Sequence, residues 1–482
     1  MVGVASMARL AARLVRAVRA DLSACRFAIG SQAGRRSALL LAYEFRRGED
    51  RRRVHLRLGA DGSGVLLVDA ADAVHLNATA ALLARLALEG MTPHRAARVL
   101  RRRFHGLDAP TAADHVADVF ALVERLREPG DGCPTCHVPA TIPLFSRRVG
   151  APYKADVALT YRCNNACGHC YNPPRRCEGE ELDPASWRRV LRRLEAVGIP
   201  HVVFTGGEPT LVPCLPELVA EARRLRLVTG LNTNGRRLAD RRLVAALGQA
   251  GLEHVQITFE SHLAVLHNAM TGADSFDETL QGIRNCVAAG LHTITNTTLT
   301  RRNAATAETT LDFLAELGLR AVAFNGMIHA GRGRRHPDAL AEDQLGPLLD
   351  ALRRRALARG LRLLWYTPTA WCRFSPVEYD LGPRRCNAAE YSFCVEPNGD
   401  VLPCQSYYEP VGNLLRDPWE QLWHSALFER FRGRVDDPRA AGLPEACCDC
   451  PDLPLCAGGC PLARGADEAT PSPVLPYHRS PP

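Results

Sequence analysis

The sequence predicts an α/β protein with a parallel sheet and crossover helices in the middle of the chain. Between about residues 155 and 364, apolar segments typical of buried strands alternate with amphipathic segments of helical period. Such alternation predicts parallel strands joined by right-handed connections. A shorter run of strands followed by helices precedes this region, and a cysteine-rich region follows it. The six predicted strands of the middle region are 155–160, 201–205, 227–232, 254–260, 292–299 and 320–325.

The bulk composition excludes several classes of protein. A chain of 482 residues suggests two to four domains. The net charge is +8, and the basic residues are a single lysine, Lys154, and arginines spread along the chain. Because the arginines are spread in this way, we expect no nucleic-acid-binding face. No run of about 18 uncharged apolar residues occurs, so no membrane span is expected. The 18 cysteines cluster in metal-like spacings without a convincing secretion signal, which favours the cytoplasm. The arginine-rich first twenty residues are compatible with an amphipathic transit or membrane-surface helix, but we favour a frayed leading helix or an upstream start codon, with Met7 as the alternative start.

Residues 37–130 are expected to form a first compact domain. Strands are predicted at 37–43, 53–58 and 65–68, and helices at about 76–88, 92–100 and 111–126. Segments 74–81 and 89–96 resemble the PqqD-like peptide-recognition domain. This resemblance implies that a leader peptide of a ribosomal precursor adds as a strand to an open sheet edge, although the sequence does not identify the edge. The alternative is a winged-helix-like docking module of another purpose.

A linker follows, in which Cys133, Cys136 and His137 match the haem-attachment pattern literally. Haem attachment belongs outside the cytoplasm and no second axial ligand is indicated, so we assign these cysteines no role.

Three cysteines, Cys163, Cys167 and Cys170, follow the first strand of the middle region with the spacing C-x3-C-x2-C. They therefore lie at the carboxyl end of a strand, where α/β folds place their chemistry. Three thiolates can hold three corners of a four-iron cluster and leave the fourth iron open, as reactive metal sites do. The alternatives are a zinc knuckle or free thiols.

A second motif stands at the end of the next strand, and the pair is more specific than either motif alone. The four residues of this motif are Gly206, Gly207, Glu208 and Pro209. Together with the cysteine loop, in which His169 precedes the last cysteine, it resembles the signature of the radical S-adenosylmethionine (radical SAM) enzymes. The resemblance implies a partial (β/α)6 TIM-like barrel and an S-adenosylmethionine amino group bound at this turn. The glycines allow close backbone approach, and Glu208 offers an anionic acceptor.

The same resemblance implies further cofactor contacts at strand ends and a radical mechanism. Each contact residue could equally be a cap or turn residue. In the mechanism, an electron from the cluster, supplied by a flavodoxin- or ferredoxin-type reductant, cleaves S-adenosylmethionine to a 5′-deoxyadenosyl radical. We assign no catalytic acid or base, and interpret the histidines near strand ends as ordinary packing or surface residues. The expected contact residues are Asn232, Asn234, Glu260, Ser261 and Asn296.

The cysteine-rich region resembles the SPASM extension, which carries auxiliary iron–sulfur clusters. The motifs are Cys386 before Gly-x4-Cys404, and the run Cys447-x2-Cys450-x5-Cys456-x3-Cys460. The resemblance implies one cluster on Cys386, Cys404 and Cys460, with Cys372 or Cys394 as candidates for its fourth ligand. Cys447, Cys450 and Cys456 would serve a second cluster.

This region departs from the family pattern at one place, because no cysteine follows Cys460. The second cluster could have an open iron, an oxygen ligand, or not form, and Cys448 would be a strained substitute. A structural zinc site is the alternative for the region.

The three resemblances together predict a recognition domain at 37–130, a radical SAM barrel at 151–365, an auxiliary-cluster domain at 366–465 and a disordered tail at 466–482. This arrangement predicts a maturase that installs a crosslink or an epimerisation on a ribosomally synthesised peptide. Two alternatives stay open. One is a radical enzyme acting on a folded protein, as sulfatase maturases do, or on a small metabolite, and the other is a non-catalytic iron–sulfur scaffold.

Overall fold

A computed structural model describes residues 38–47, 50–68, 72–104, 106–127, 145, 148–173 and 180–467. The chain divides into two compact units with a boundary between Gly150 and Ala151, and the segment Leu194–Pro200 is grouped with the first unit. The leading segment, Cys133 and Cys136, and the tail beyond residue 467 lie outside the described residues.

The first unit pairs an antiparallel sheet with three helices. Its strands follow chain order in the sheet: β1 (Ala38–Arg47), β2 (Asp50–Gly59), β3 (Gly64–Val68) and β4 (Asp72–Leu76). The helices are α1 (Ala78–Leu88), α2 (Pro93–Arg103) and α3 (Ala109–Arg127). Asn77 caps α1 because its side chain accepts a hydrogen bond from the Ala80 N–H at 2.8 Å. The predicted three strands and three helices are present.

One element of this unit, β4, is an addition to the predicted set. The predicted helix begins at Leu76, whereas residues 72–76 form a strand that pairs with β3. The strand is short, and only Val74 and Leu76 turn into the core. Two alternating apolar residues are too few to indicate a strand by period alone.

The second unit is built on a nine-stranded sheet in the order β11-β10-β9-β8-β7-β6-β5-β12-β13. Its first seven strands in chain order are parallel and sequentially adjacent, as in a partial (β/α) barrel. The predicted fold class is therefore confirmed. The strands are β5 (Lys154–Thr160), β6 (His201–Gly206), β7 (Val228–Thr233), β8 (His254–Thr258), β9 (His292–Thr298), β10 (Ala321–Asn325), β11 (Arg362–Trp365), β12 (Ser392–Val395) and β13 (Val401–Leu402).

The helices of this unit flank the sheet and then continue through the cysteine-rich region. In the helix that follows the cysteine loop, Val190 and Leu191 are buried while Arg192 is exposed, which is the amphipathic pattern predicted from the sequence. The helices are α4 (Pro184–Ala196), α5 (Leu215–Arg224), α6 (Arg241–Ala250), α7 (Ala264–Thr271), α8 (Phe276–Ala288), α9 (Ala307–Glu316), α10 (Leu345–Ala358), α11 (Trp419–Trp423), α12 (Ala426–Gly433), α13 (Leu453–Cys456) and α14 (Pro461–Asp467).

The cysteine-rich region shares the sheet of the barrel. Strand β12 pairs in parallel with β5, so that Cys394 lies opposite Asp156, and β13 pairs with β12. The predicted domains 151–365 and 366–465 thus belong to one compact unit. Of the helices in the described part of the chain, none is long and apolar enough to cross a bilayer.

Candidate functional site

The candidate site lies along the edge of the sheet where the parallel strands end. The cysteine loop, residues 161–171, follows β5, the glycine turn 206–209 closes β6, and Asn234 follows β7. Glu260 stands two residues beyond β8, and Asn325 ends β10. Because the carboxyl ends of parallel strands meet at one edge, these segments are neighbours in space.

Backbone and side-chain hydrogen bonds hold the cysteine loop in place. The Ala166 N–H donates to the Thr271 carbonyl at 2.9 Å, and the Cys170 carbonyl accepts from the Arg332 N–H at 2.8 Å. The Asn234 side chain donates to Asn164 Oδ1 at 2.7 Å. The loop is therefore anchored by segments that follow other strands of the sheet, which fixes the directions of its thiols.

The three thiols of the loop are reduced, and they interact electrostatically with one another. Burial, with smaller contributions from the nearby Glu208 and Cys170, raises the pKa of Cys163 to about 11. Burial also raises the pKa of Cys167 well above its usual value, and Cys170 and Glu260 add to the effect. Thiols in such a setting stay protonated until a metal replaces the proton.

Within the described ranges, no three His, Cys, Asp or Glu side chains converge on a single metal ion. A four-iron cluster takes one thiolate at each iron, so its ligands stand apart around the cluster. Three partly exposed, reduced thiols on one anchored loop are a donor set that fits three corners of such a cluster.

The glycine turn packs directly against the start of the cysteine loop. The Gly207 N–H donates to the Thr160 carbonyl at 2.7 Å, and the Glu208 N–H donates to the Arg162 carbonyl at 2.9 Å. A Cβ atom on Gly207 would stand 2.5 Å from the carbonyl oxygens of Tyr161 and Arg162. Gly206 has φ of 135°, a conformation that L side chains rarely adopt. Glycine is therefore required here for close approach between two backbone segments.

Glu208 is fully buried at this turn and its carboxylate joins the ends of β6 and β7. Oε1 accepts hydrogen bonds from the Thr210 N–H at 3.0 Å and from the Thr233 hydroxyl at 2.7 Å. Oε2 accepts from the Asn234 N–H at 2.7 Å. Burial raises the pKa of Glu208 although these donors oppose the shift. The carboxylate thus organises the turn, and its contact with an ammonium group stays a prediction.

A buried ion pair, which the sequence did not indicate, connects the cysteine loop to β8. Nε2 of His169 lies 3.0 Å from Oε1 of Glu260, and Oε2 of Glu260 accepts from the Thr298 N–H at 2.9 Å. Burial opposes protonation of His169, but Glu260 outweighs it and raises the pKa of His169 above its usual value. Both residues had been noted separately, and only the folded chain brings them together.

The other expected contact residues also lie along this edge. Ser261 is buried and its hydroxyl accepts from the Leu263 N–H at 3.1 Å. Asn296 accepts a hydrogen bond from Asn325 on the neighbouring strand. Asn232 is half-buried near the end of β7, and Pro209 is buried in the glycine turn. A role for any of them in cofactor binding stays a prediction.

The histidines at the opposite edge form a separate pair. His201 and His254 begin β6 and β8, and their Nε2 atoms are 2.8 Å apart. This edge carries the amino ends of the strands. The pair is therefore remote from the cysteine loop, with His201 buried and His254 half-buried.

The cysteines of the last region fall into two groups. The charges of Cys386 and Cys460 act on Cys404, and burial raises the pKa of Cys404 to about 12. The other group contains Cys447, Cys450 and Cys456, of which Cys447 interacts with the other two. Of the two candidates for a further ligand, Cys394 lies in a buried cluster with Ala158, Tyr161 and Leu402. Cys372 is exposed and follows a segment that contacts Cys456.

A hydrogen bond connects the cysteine loop to the cysteine-rich region. The phenol of Tyr171 donates to Oε1 of Gln405 at 2.9 Å. Tyr171 follows Cys170 in the chain, and Gln405 follows Cys404. Burial raises the pKa of Tyr171 well above its usual value, so the phenol remains a donor at neutral pH. The cysteine loop and the segment that contains Cys404 are thus joined by a short path of covalent and hydrogen bonds.

Two known families match the chain. The radical SAM superfamily matches residues 157–314, and the iron–sulfur cluster-binding domain named SPASM matches residues 386–451. A PqqA peptide cyclase of Streptomyces rochei is 31% identical over 349 residues, which cover 69% of this chain and 92% of the relative. A PqqA peptide cyclase of Xanthomonas campestris pv. campestris (strain B100) is 32% identical over 356 residues, covering 69% of this chain and 88% of the relative.

Solved structures share the fold at lower sequence identity. SuiB of Streptococcus suis bound to S-adenosylmethionine superposes with a TM-score of 0.64 at 17% identity, over 86% of this chain and 95% of SuiB. The protein anSMEcpe with bound AdoMet and the Cp18Cys peptide gives a TM-score of 0.52 at 18% identity, over 66% of this chain and 92% of that protein.

Proposed function

Because the chain belongs to the radical SAM superfamily and carries a SPASM iron–sulfur domain, we propose that it closes a new bond within a ribosomally synthesised peptide. Its cofactors are a [4Fe–4S] cluster, S-adenosylmethionine and auxiliary iron–sulfur clusters. The observation that carries the proposal is the similarity to PqqA peptide cyclases along 92% of a relative's length. Ring closure within a peptide is the reaction that those names describe.

The residues at the strand edge would divide the work as follows. Cys163, Cys167 and Cys170 would hold the cluster, which with S-adenosylmethionine supplies a carbon-centred radical that removes a hydrogen atom from the peptide. Gly206 and Gly207 let the backbone of the turn approach the bound cofactor without side-chain interference. The strand ends, rigidly joined by the sheet, position the reacting carbon and exclude other hydrogen donors.

Ring closure replaces two bonds to hydrogen with one new bond between heavier atoms, so it oxidises the peptide by two electrons. One hydrogen atom is taken by the radical, and the second leaves as a proton and an electron, so an acceptor for that electron is needed. The auxiliary clusters are electron carriers of suitable chemistry. An epimerisation has no net loss of electrons, so it gives the auxiliary clusters no such task. This difference favours a crosslink over an epimerisation.

The first unit would hold the leader part of the precursor peptide. In the described part of its sheet, β1 and β4 are the edge strands, and an extended peptide adds to an edge strand through backbone hydrogen bonds. Strand β1 has ten residues and β4 has five, so β1 offers the longer ladder of backbone hydrogen bonds.

The reductant would be of the flavodoxin or ferredoxin type. It would act in a reducing cytoplasm, where thiols such as those of the cysteine loop stay available for clusters.

The test is anaerobic co-expression with the precursor peptide encoded beside the gene, followed by mass spectrometry of the peptide. A crosslink lowers the peptide mass by two hydrogen atoms, whereas an epimerisation leaves the mass unchanged. The variant with Cys163, Cys167 and Cys170 changed to Ala should leave the peptide unmodified and S-adenosylmethionine uncleaved. Modification by that variant would refute the site.

The role of the first unit needs its own experiment. Hydrogen exchange of the full chain, with and without the precursor peptide, should show slower exchange in β1 or β4 when the peptide is bound. A variant lacking residues 37–130 should bind the peptide more weakly and still cleave S-adenosylmethionine without substrate. Unchanged peptide affinity would contradict leader binding by this unit.

A further inference from the structure

We propose that Cys372 is the fourth ligand of the auxiliary cluster held by Cys447, Cys450 and Cys456. The run supplies three thiolates to this cluster, because its fourth cysteine, Cys460, lies with Cys386 and Cys404 in the other group. A closed cluster with four thiolates therefore needs a cysteine from outside the run. In the sequence, Cys372 stands 75 residues before Cys447, and spacing alone gives no reason to pair them.

The backbone around Cys372 packs against the end of the cysteine run. The Trp371 N–H donates to Sγ of Cys456 at 3.4 Å, and the same sulfur lies 3.8 Å from the Thr369 carbonyl. The approach continues at Gly459, where an added Cβ would stand 2.7 Å from the Ala370 nitrogen. Residues 369–371 thus contact Cys456 and Gly459, which places the adjoining Cys372 beside this group of cysteines.

The electrostatic environment of the thiols agrees with this contact. Cys372 lies close enough to the Cys447 thiol to interact with it electrostatically, as Cys456 and Cys450 do. Cys372 also acts on Cys456. The thiols of the other group respond to different neighbours, because Cys386 is the cysteine with the largest effect on both Cys404 and Cys460.

The two other candidate thiols point elsewhere. Sγ of Cys448 lies 3.9 Å from Oε2 of Glu445, a carboxylate that also pairs with Arg439. Cys394 is fully buried in strand β12, within an apolar cluster. The Cys372 thiol, by contrast, is exposed, so it can turn toward iron without opening the core. On binding, each of the four thiols loses its proton and takes one iron, as in four-cysteine clusters.

The experiment measures iron and acid-labile sulfide in anaerobically reconstituted full-length protein without any peptide. Every protein carries the Cys163, Cys167 and Cys170 to Ala changes, so that all iron reports on the auxiliary clusters. Cys372→Ala should lower the iron content by up to roughly four atoms per chain. Cys448→Ala is the matched control, because Cys448 adjoins Cys447 in the cysteine run, and it should leave the iron content unchanged.

Double variants assign Cys372 to one cluster or the other. Added to Cys447→Ala, Cys372→Ala should remove no more iron, because that cluster is already lost. Added to Cys404→Ala, it should remove most of the iron that remains. The reverse pattern, no effect of Cys372→Ala, or a loss caused by Cys448→Ala would each overturn the proposal.

A second variant guards against misfolding. Cys372→Ser offers an oxygen ligand of similar size, and we expect it to change the electron paramagnetic resonance signal of one auxiliary cluster only. An unchanged spectrum would count against ligation by Cys372. Because no substrate is present in these measurements, their outcome is independent of the peptide modification proposed above.

Discussion

Replacement of Gly207 by Ala tests whether the glycine turn positions the cysteine loop. The added Cβ would stand 2.5 Å from the carbonyl oxygens of Tyr161 and Arg162, whereas ordinary van der Waals contact begins at 3.4 Å. Both oxygens belong to backbone at the start of the loop, so neither can rotate away. The turn and the loop must therefore separate by about 1 Å.

The free-energy cost follows from two hydrogen bonds that cross this contact. They are 2.7 Å from Gly207 to Thr160 and 2.9 Å from Glu208 to Arg162, and a separation of about 1 Å stretches both beyond useful range. Each backbone bond contributes about 1 kcal/mol net. Strain from overpacking adds about 1–3 kcal/mol. We expect Gly207→Ala to lower the free energy of unfolding by about 3–5 kcal/mol.

The matched control is Gly248→Ala in helix α6. An added Cβ there meets no atom within 4 Å, so the substitution should raise the free energy of unfolding by about 0.5–1 kcal/mol. Urea unfolding of the apo proteins measures both changes, and iron content after reconstitution reports on the cysteine loop. If Gly207→Ala were as stable as the parent and took up the same iron, the turn would not position the loop.

Three further substitutions test other parts of the structure. Burial, with help from His292 and Lys154, lowers the pKa of His254 from 6.5 to about 4, so the native state resists a proton that the unfolded chain accepts. When the pH is lowered from about 7.5 to about 5, the free energy of unfolding in urea should fall by about 2 kcal/mol more for the parent than for His254→Gln. An equal pH dependence of the two proteins would contradict the lowered pKa of His254. Tyr171→Phe removes the donor to Gln405 and should lower the free energy of unfolding by about 1 kcal/mol. An unchanged free energy of unfolding would argue against this hydrogen bond. Glu260→Ala leaves the buried His169 ring and the Thr298 N–H without their acceptor, so it should lower the free energy of unfolding of the apo protein by about 3 kcal/mol. A decrease below about 1 kcal/mol would show that the ion pair is open to water.

The sequence was sufficient for the parallel sheet, because buried strands carry strong local signals. The predicted strand 201–205 corresponds to β6 (His201–Gly206), and 320–325 corresponds to β10 (Ala321–Asn325). Apolar runs bounded by helical periodicity have few other interpretations. Strand β11 (Arg362–Trp365) was missed, since only its last two residues are buried and its first residue is exposed. Pairing with β10 decides its structure, and such pairing is not local information.

The candidate site was predictable in its ligands and not in its connections. Cysteine spacing identified Cys163, Cys167 and Cys170 because ligands on one loop must be close in sequence. The His169–Glu260 pair joins residues 91 positions apart, and the contact of Trp371 with Cys456 joins residues 85 positions apart. No period or spacing rule relates such residues, since only the order of strands in the sheet brings them together.

The sheet also explains how two cysteine regions can keep a fixed separation. Strand β12 is hydrogen-bonded to β5, whose end begins the cysteine loop, and β13 leads from β12 to Cys404. The Tyr171–Gln405 bond closes this circuit on the other side. Electron transfer between two centres depends steeply on their distance, so a mobile domain joined by a linker would give a variable rate. A continuous backbone ladder between the thiol groups removes that variation, and this is a physical reason for an auxiliary-cluster region to extend the barrel sheet instead of standing apart from it.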